Sequence, residues 1–278
     1  MSRTPAAVIL LTLAMPVAWG QDTPPATPPV PAPPVAPVFE NTGKPIVLPF
    51  QCTLDDMQWA GLACTEDEPC PIYLELTAAE SAGDHILVVG NIHSTAITLY
   101  AVILASEDGG HTWREVHDRI RGSGLDHLQF LDAETGWVAG QLLFPLQQDP
   151  FLLVTTDGGK TWRQRPIFGD SRENRFGSIQ QFIFTAKDSG SLIVDRGQGS
   201  EGDRYELYQS PDGGESWTIQ QTSTKPLQLK RPPAPVTEWR LRADGQTESF
   251  HIEHRQGQRW NNVAAFAVKL GACKVPQQ

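Results

Sequence analysis

Ser106-Glu-Asp108-Gly-Gly110-His-Thr112-Trp113, Thr155-Thr-Asp157-Gly-Gly159-Lys-Thr161-Trp162 and Ser210-Pro-Asp212-Gly-Gly214-Glu-Ser216-Trp217 are three copies of one octet, aligned without a gap. The shared pattern is Ser/Thr-x-Asp-Gly-Gly-x-Ser/Thr-Trp. A fourth copy, Glu253-His-Arg255-Gln-Gly257-Gln-Arg-Trp260, keeps only the second glycine and the tryptophan. Counted at the Asp position, the copies lie 49, 55 and 43 residues apart. That period suits stacked β-units rather than helical repeats. The octet itself has the chemistry of a hairpin turn. Asp-Gly favours a tight reversal because glycine adopts positive φ without a steric cost. The carboxylate accepts backbone N–H groups of its own turn, and the Ser and Thr hydroxyls add further bonds across it. The tryptophan opens the outgoing strand and offers a large ring to pack beneath the turn. Asp108, Asp157 and Asp212 are therefore read as turn formers, not catalysts.

The strands leading into each turn alternate at period two: Ile103 and Ala105 match Leu152 and Val154, Leu207 and Gln209, and Phe250 and Ile252. A second block recurs upstream. Phe130-Leu-Asp132-Ala-Glu-Thr-Gly136-Trp137-Val-Ala-Gly140 reads as strand, turn, strand, and Phe184 to Val194 repeats the plan. Leu76 to Gly90 does so with one insertion. Each unit is then about four strands. The octet resembles the Asp-box, or BNR repeat, of sialidases, some xyloglucan hydrolases and sortilin-type receptors. With the Phe…Gly-Trp-Val-Ala-Gly block ahead of it, the region from about Ile72 to Val268 looks most like BNR-like propellers of the photosystem II assembly/stability-factor type. The resemblance implies an all-β fold, a small β-propeller of about four Asp-box blades. It also implies a role in holding another protein during assembly or repair.

The last unit is short, with 14 residues between Leu241 and Arg255 against 27 between Phe130 and Asp157. It therefore lacks a strand, which Lys44-Pro-Ile-Val-Leu-Pro-Phe50 is expected to supply from the N-terminal side. Four cysteines, Cys52, Cys64, Cys70 and Cys273, allow two disulfides in three pairings. Three precede the repeats and one follows them, so at least one bridge should join the two ends of the domain.

Further out, Arg3 precedes an apolar run from Ala6 to Trp19, with Ala18 and Gly20 placed as a small-residue cleavage site. Residues 1–20 read as a secretory signal peptide, too short in its apolar core to span a bilayer, which takes roughly 20 residues. Residues 21–38 (TPPATPPVPAPPVAP at their centre) are proline-rich and read as a disordered, extended spacer. Residues 39–278 suit one all-β domain. Lys and Arg number 22 against 32 Asp and Glu, a net charge of −10. That balance argues against nucleic-acid or anionic-membrane partners. The expectation is an exported chain, periplasmic or secreted, with no membrane insertion.

Chemistry-bearing motifs are sparse. Asp118-Arg-Ile120-Arg-Gly is the nearest string to the Phe/Tyr-Arg-Ile-Pro motif of sialidases, and it lacks the aromatic residue and the proline. His251 and His254, three apart on a strand, face opposite sides and make a poor chelate. Asp195-x-Gly-x-Gly-x-Glu201-x-Asp203 alternates oxygen ligands like a calcium loop but lacks the full EF-hand pattern. No phosphate-binding loop, dinucleotide motif or nucleophile elbow is present. Trp59 and Trp239 have no assigned place and are expected to pack inside. The variable stretches Phe144 to Pro150, Phe168 to Gly177 and Gly197 to Arg204 should be loops, with Arg172, Arg175 and Arg204 exposed on them. The expectation is therefore a non-catalytic protein-binding or assembly module with no catalytic, cofactor or metal residues. Its partner would be another protein, with a glycan as the other ligand class. The alternative is a carbohydrate-active hydrolase or a glycan-binding module of the sialidase-like superfamily.

Overall fold

Each complete octet closes a hairpin through one repeated set of bonds. In the computed structural model, which describes residues 37–143, 149–168, 176–198, 202–229 and 238–274, the Ser106 hydroxyl donates to Asp108 Oδ1 (2.8 Å) and accepts from the Gly110 N–H (2.8 Å). Asp108 also accepts the Thr112 N–H (2.9 Å) and hydroxyl (2.6 Å). Thr155, Asp157, Gly159 and Thr161 repeat the set, as do Ser210, Asp212, Gly214 and Ser216. Desolvation pushes each Asp carboxyl upward. The four donated bonds outweigh it and leave all three below the ordinary value, Asp108 at about 2. Both glycines of each octet sit at positive φ, from 71° to 97°. The indole N–H of Trp113 and of Trp162 donates back to the second glycine's carbonyl, at 3.2 and 3.0 Å. Trp217 instead meets the Phe184 ring edge to face at 6.0 Å.

Around these turns the chain builds four antiparallel sheets. The first contains β1 (Val38–Glu40), then, after helix α1 (Leu54–Ala60), β2 (Cys70–Ala82), β3 (His85–His93), β4 (Thr98–Ser106), β5 (Thr112–Glu115) and the short β6 (Ile120–Arg121). The second is β7 (Ser123–Phe130), β8 (Gly136–Leu142), β9 (Asp149–Thr155) and β10 (Arg163–Pro166). The third is β11 (Ser178–Phe184), β12 (Gly190–Asp195), β13 (Tyr205–Ser210) and β14 (Thr218–Ser223). The fourth has three strands: β15 (Trp239–Asp244), β16 (Ser249–Gln256) and β17 (Arg259–Ala267). The chain then returns to the first sheet as β18 (Lys269–Cys273), paired with β2. These are the four blades of a small, all-β propeller.

The second glycine of each octet marks how the blades stack. A Cβ on Gly159 would lie 2.4 Å from Leu87 of the first blade, and one on Gly214 would lie 3.1 Å from Leu152 of the second. A Cβ on Gly110 of the first blade would lie 2.3 Å from Val263 of the fourth. Each octet is thus wedged against the preceding blade, and the fourth blade precedes the first in space. The core follows the same order. One cluster joins first and fourth blades, with Ile72, Leu74 and Trp113 packed against Ile252 and Phe266. Another joins first and second through Leu87, Ile103, Val138 and Phe151. The third joins second and third, where Trp137 stacks on Phe184 with centroids 3.8 Å apart. Burying each such side chain contributes roughly 1.5–3 kcal/mol. No core cluster among the described residues joins the third blade to the fourth. The degraded octet makes no such wedge: Arg255 pairs with Trp260 and Gln256 with Arg259 around a tight turn. A Cβ on Gly257 there would meet nothing within 4 Å.

The first and fourth blades are bound together by the two ends of the domain. β1 adds to the outer edge of β5. The Asn41 side chain donates both to the Gly110 carbonyl (2.9 Å) and to the Val263 carbonyl (2.8 Å). Ile46 then pairs with β17 through a parallel bridge at Phe266, with bonds of 2.7 and 2.9 Å. The segment 44–50 therefore completes the last sheet at one point rather than along a whole strand, because its two prolines remove the donors a longer ladder needs. Cys52 bridges to Cys273, across 221 residues, and Cys64 to Cys70. No helix among the described residues is long and apolar enough to cross a membrane. The expected signal peptide, all but the end of the spacer, Arg172 and Arg175 lie outside the described residues.

Candidate functional site

Strand direction separates the two ends of the propeller. The octets all lie at one end, because each follows the third strand of its unit. At the opposite end lie the last described residues of β8 and β12 and the first of β9 and β13; most of the three variable stretches falls outside the described residues. Helix α1 is placed at this end too. Thr53 caps it: its hydroxyl accepts the Asp56 N–H (3.1 Å) while Asp56 accepts the Thr53 N–H (3.0 Å). Gly61 ends it at φ 63°. Met57 enters the core shared by the first and fourth blades.

The capping carboxylate has a second role. Asp56 is 3% exposed and accepts the Tyr100 hydroxyl of β4 and the Arg121 guanidinium (2.8 Å). Arg121 also holds Asp55 at 2.6 Å and lies over the rings of Trp59 (5.3 Å) and Tyr100 (5.8 Å). Two residues earlier Arg119 pairs with Glu115, donates to the Pro49 carbonyl (2.9 Å) and lies over Phe50 (5.8 Å). Burial pushes the Asp56 carboxyl up, but the bonds from Tyr100, Thr53 and Arg121 bring it below its ordinary value. Burial and the Asp56 carboxylate together push the Tyr100 phenol up. Arg121 is strengthened as a cation by Asp55 and Tyr100.

A second charged cluster stands at the same end of the third blade. Arg204 grips Asp195 with two bonds, 2.6 and 2.7 Å, and lies over the Tyr205 ring at 5.0 Å. That grip is the main reason the Asp195 carboxyl lies low. Arg196 pairs with Glu206 (3.0 Å), whose other oxygen accepts the Tyr208 hydroxyl (2.6 Å).

These contacts place two stretches that the sequence singles out. Arg204 is not a free loop charge but a half-buried partner of Asp195. Asp195, 8% exposed, is neutralised by that guanidinium and by the Gly197 N–H (2.8 Å), not turned outward as the first ligand of a calcium loop. Glu201 lies outside the described residues, and Asp203 accepts the Thr222 hydroxyl (2.5 Å). His251 and His254 do face opposite sides: His251 bonds Asn262 (2.9 Å), and His254 stacks on Trp239 (4.4 Å). Trp59 and Trp239 both pack against the core between the first and fourth blades.

The arrangement constrains the available chemistry. At this end Asp56 and Asp195 are both held below the ordinary carboxylate range by bonds that include a guanidinium. The strongest upward shift lies elsewhere. Glu80, half-buried beside the second blade, is pushed up to about 7 by burial against the opposing bond from the Phe130 N–H (2.7 Å). Asp126 is also raised, by burial and by Glu75. At the octet end a cavity of about 260 Å³ lies beside Val38, Asp108 and Arg114. Sequence reasoning passed over Asp55, Asp56, Tyr100, Arg119 and Arg121. The Thr53-x-x-Asp56 capping pattern was the available signal for the helix. Nothing local tells that Tyr100 and Arg121 meet beneath it.

No known family profile matches the chain, and no curated protein does. Solved structures similar to it include the GH74 xyloglucanase of Xanthomonas campestris, at 18% identity and a TM-score of 0.37 over 50% of this chain and 19% of that one. YCF48 of Cyanidioschyzon merolae is similar at 17% identity and 0.34, over 72% and 57%. The α-L-arabinanase of Penicillium chrysogenum is similar at 13% and 0.36, over 82% and 66%. The chain thus spans less than two thirds of the length of each, and at these levels the likeness carries no argument about substrate or partner.

Proposed function

We propose that this chain is an exported, non-catalytic β-propeller that binds another protein through its helix-bearing end, as an assembly or stability module. The observation that carries this reading is the pair of guanidinium groups at Arg121 and Arg119. Each is fixed by a carboxylate and laid over an aromatic ring, and Arg121 keeps about a third of its side chain in solvent. Arginine and aromatic residues held rigid in this way lose little entropy on docking and are enriched at the energetic centres of protein interfaces. The signal-like residues 1–20, the proline-rich stretch that follows and the two disulfides support export.

The test is site-specific photo-crosslinking in the producing cell, with the probe at Asp118 beside Arg119 or at His111 in the first octet. The reading expects one discrete protein adduct from Asp118, abolished by Arg121→Ser, and none from His111. Adducts from both sites alike would refute it, as would turnover of sialosides, xyloglucan or arabinan by the purified chain.

A further inference from the structure

The two disulfides lie side by side. Strands β2 and β18 pair antiparallel in the register Ile72 to Gly271, Pro71 to Ala272 and Cys70 to Cys273. The two facing cysteines are bonded to different partners, Cys70 to Cys64 and Cys273 to Cys52. Cys64 and Cys273 lie in the core cluster between the first and fourth blades, and Cys52 and Cys70 pack against it. Residues directly opposite in an antiparallel pair turn their side chains to the same face, with Cα atoms about 4.5–5.5 Å apart. A disulfide takes Cα atoms roughly 4.4–6.8 Å apart. The register therefore holds Cys70 and Cys273 at a spacing that suits a bridge between them, although each is bonded elsewhere. Cys64 and Cys273 are buried, whereas Cys70 is half-buried and the loop its bridge encloses, residues 65–69, is exposed.

We propose that the four cysteines form a thiol–disulfide exchange relay, in which reduction of Cys64–Cys70 is passed to Cys52 and frees it. An external dithiol attacks Cys70 Sγ, the more exposed sulfur of the short bridge, and the Cys64 thiolate leaves and takes a proton. The second thiol of the reductant resolves the mixed disulfide. The reductant departs as its own disulfide, and the Cys70 thiolate is released. That thiolate attacks Cys273 Sγ across the strand pair. The Cys52–Cys273 bond breaks as Cys70–Cys273 forms, and Cys52 leaves as a thiolate that takes a proton. Two electrons enter at the short bridge, and the two thiols end on Cys64 and Cys52. Loop closure does not oppose the transfer, because Cys70–Cys273 encloses almost as long a loop as Cys52–Cys273. The C-terminal strand stays covalently tied, now to β2 directly. What loses its tether is the chain just ahead of α1, since Cys52 precedes the helix cap Thr53. The relay needs no partner at the helix-bearing end and goes beyond the function proposed above.

Timed reduction of the purified wild-type chain with limiting dithiothreitol tests it, stopped by alkylation and read by non-reducing peptide mass spectrometry. The species with one bridge left should carry Cys70–Cys273, with Cys52 and Cys64 alkylated. Cys64→Ser gives a second reading without reductant, because it leaves Cys70 as a thiol facing the long bridge. That variant should hold Cys52–Cys273 and Cys70–Cys273 together, in amounts within about tenfold of each other since their loops nearly match. The wild-type measurement needs no substitution and stands should the variant fail to fold. A one-bridge species that retains only Cys52–Cys273 or only Cys64–Cys70 would overturn the proposal, as would a folded Cys64→Ser chain in which Cys70 stays a thiol throughout.

Discussion

Replacing both Cys52 and Cys273 with alanine removes the one covalent tie between the two ends of the domain. The bridge spans 221 residues, whereas Cys64–Cys70 spans 6. A cross-link restricts the unfolded chain by an amount that grows with the logarithm of the loop. On that account the long bridge contributes about 5 kcal/mol and the short one about 2 kcal/mol. Cys273 is fully buried, so the substitution also leaves a small void. In a domain of this size roughly 2–4 °C of melting temperature is lost per kcal/mol, so the long-bridge variant should melt about 10–20 °C lower and the short-bridge variant about 4–8 °C lower. Thermal unfolding followed by circular dichroism, without reductant and with each pair replaced separately, measures both. Equal losses, or a larger loss from the short bridge, would refute the reasoning, because native strain rather than loop closure would then set the contributions.

Glu80 keeps its proton in the folded chain up to about pH 7, whereas the unfolded chain loses it near 4.5. Stability should therefore fall as pH rises between those values. Glu80→Gln should flatten that fall and stabilise the protein at neutral pH by roughly 2 kcal/mol, after discounting for half-burial, in urea titrations across pH. Gly159→Ala should cost about 2–4 kcal/mol, since the residue sits at positive φ with Leu87 in the way, whereas Gly257→Ala, also at positive φ but facing open space, should cost about 1. Asp108 contributes stability above pH 3.8 that is lost as pH falls toward 2. Asp108→Asn should flatten the acid limb of the unfolding curve there, and an unchanged limb would show that the turn bonds do not depend on its charge.

The octets made the fold legible because their chemistry is local: a carboxylate, two glycines and two hydroxyls within eight residues bond to one another. Period and spacing then set the number of blades and the shortness of the last one. The end-to-end bridge also followed from where the cysteines lie. What could not be read was the pairing of distant side chains. Asp56, Tyr100 and Arg121 lie up to 65 residues apart and meet only because α1 folds back over the first blade. Nothing local tells that Arg204 turns back onto Asp195 nine residues earlier. The apolar pattern of segment 44–50 suggests a whole strand, yet its prolines confine it to a bridge at Ile46.

The packing of the fourth blade beside the first imposes an order of events on a chain synthesised from its N-terminus. The second blade can dock on the first, and the third on the second, as each emerges. The apolar face formed by Ile72, Leu74 and Trp113 lacks its fourth-blade cover until Ile252 and Phe266 are made. Cys52 likewise waits for Cys273. For most of its synthesis the molecule is thus a sticky half-product, and one truncated before Trp239 stays so. Factors that hold nascent chains and that form disulfides would therefore govern its yield more than any property of the finished domain.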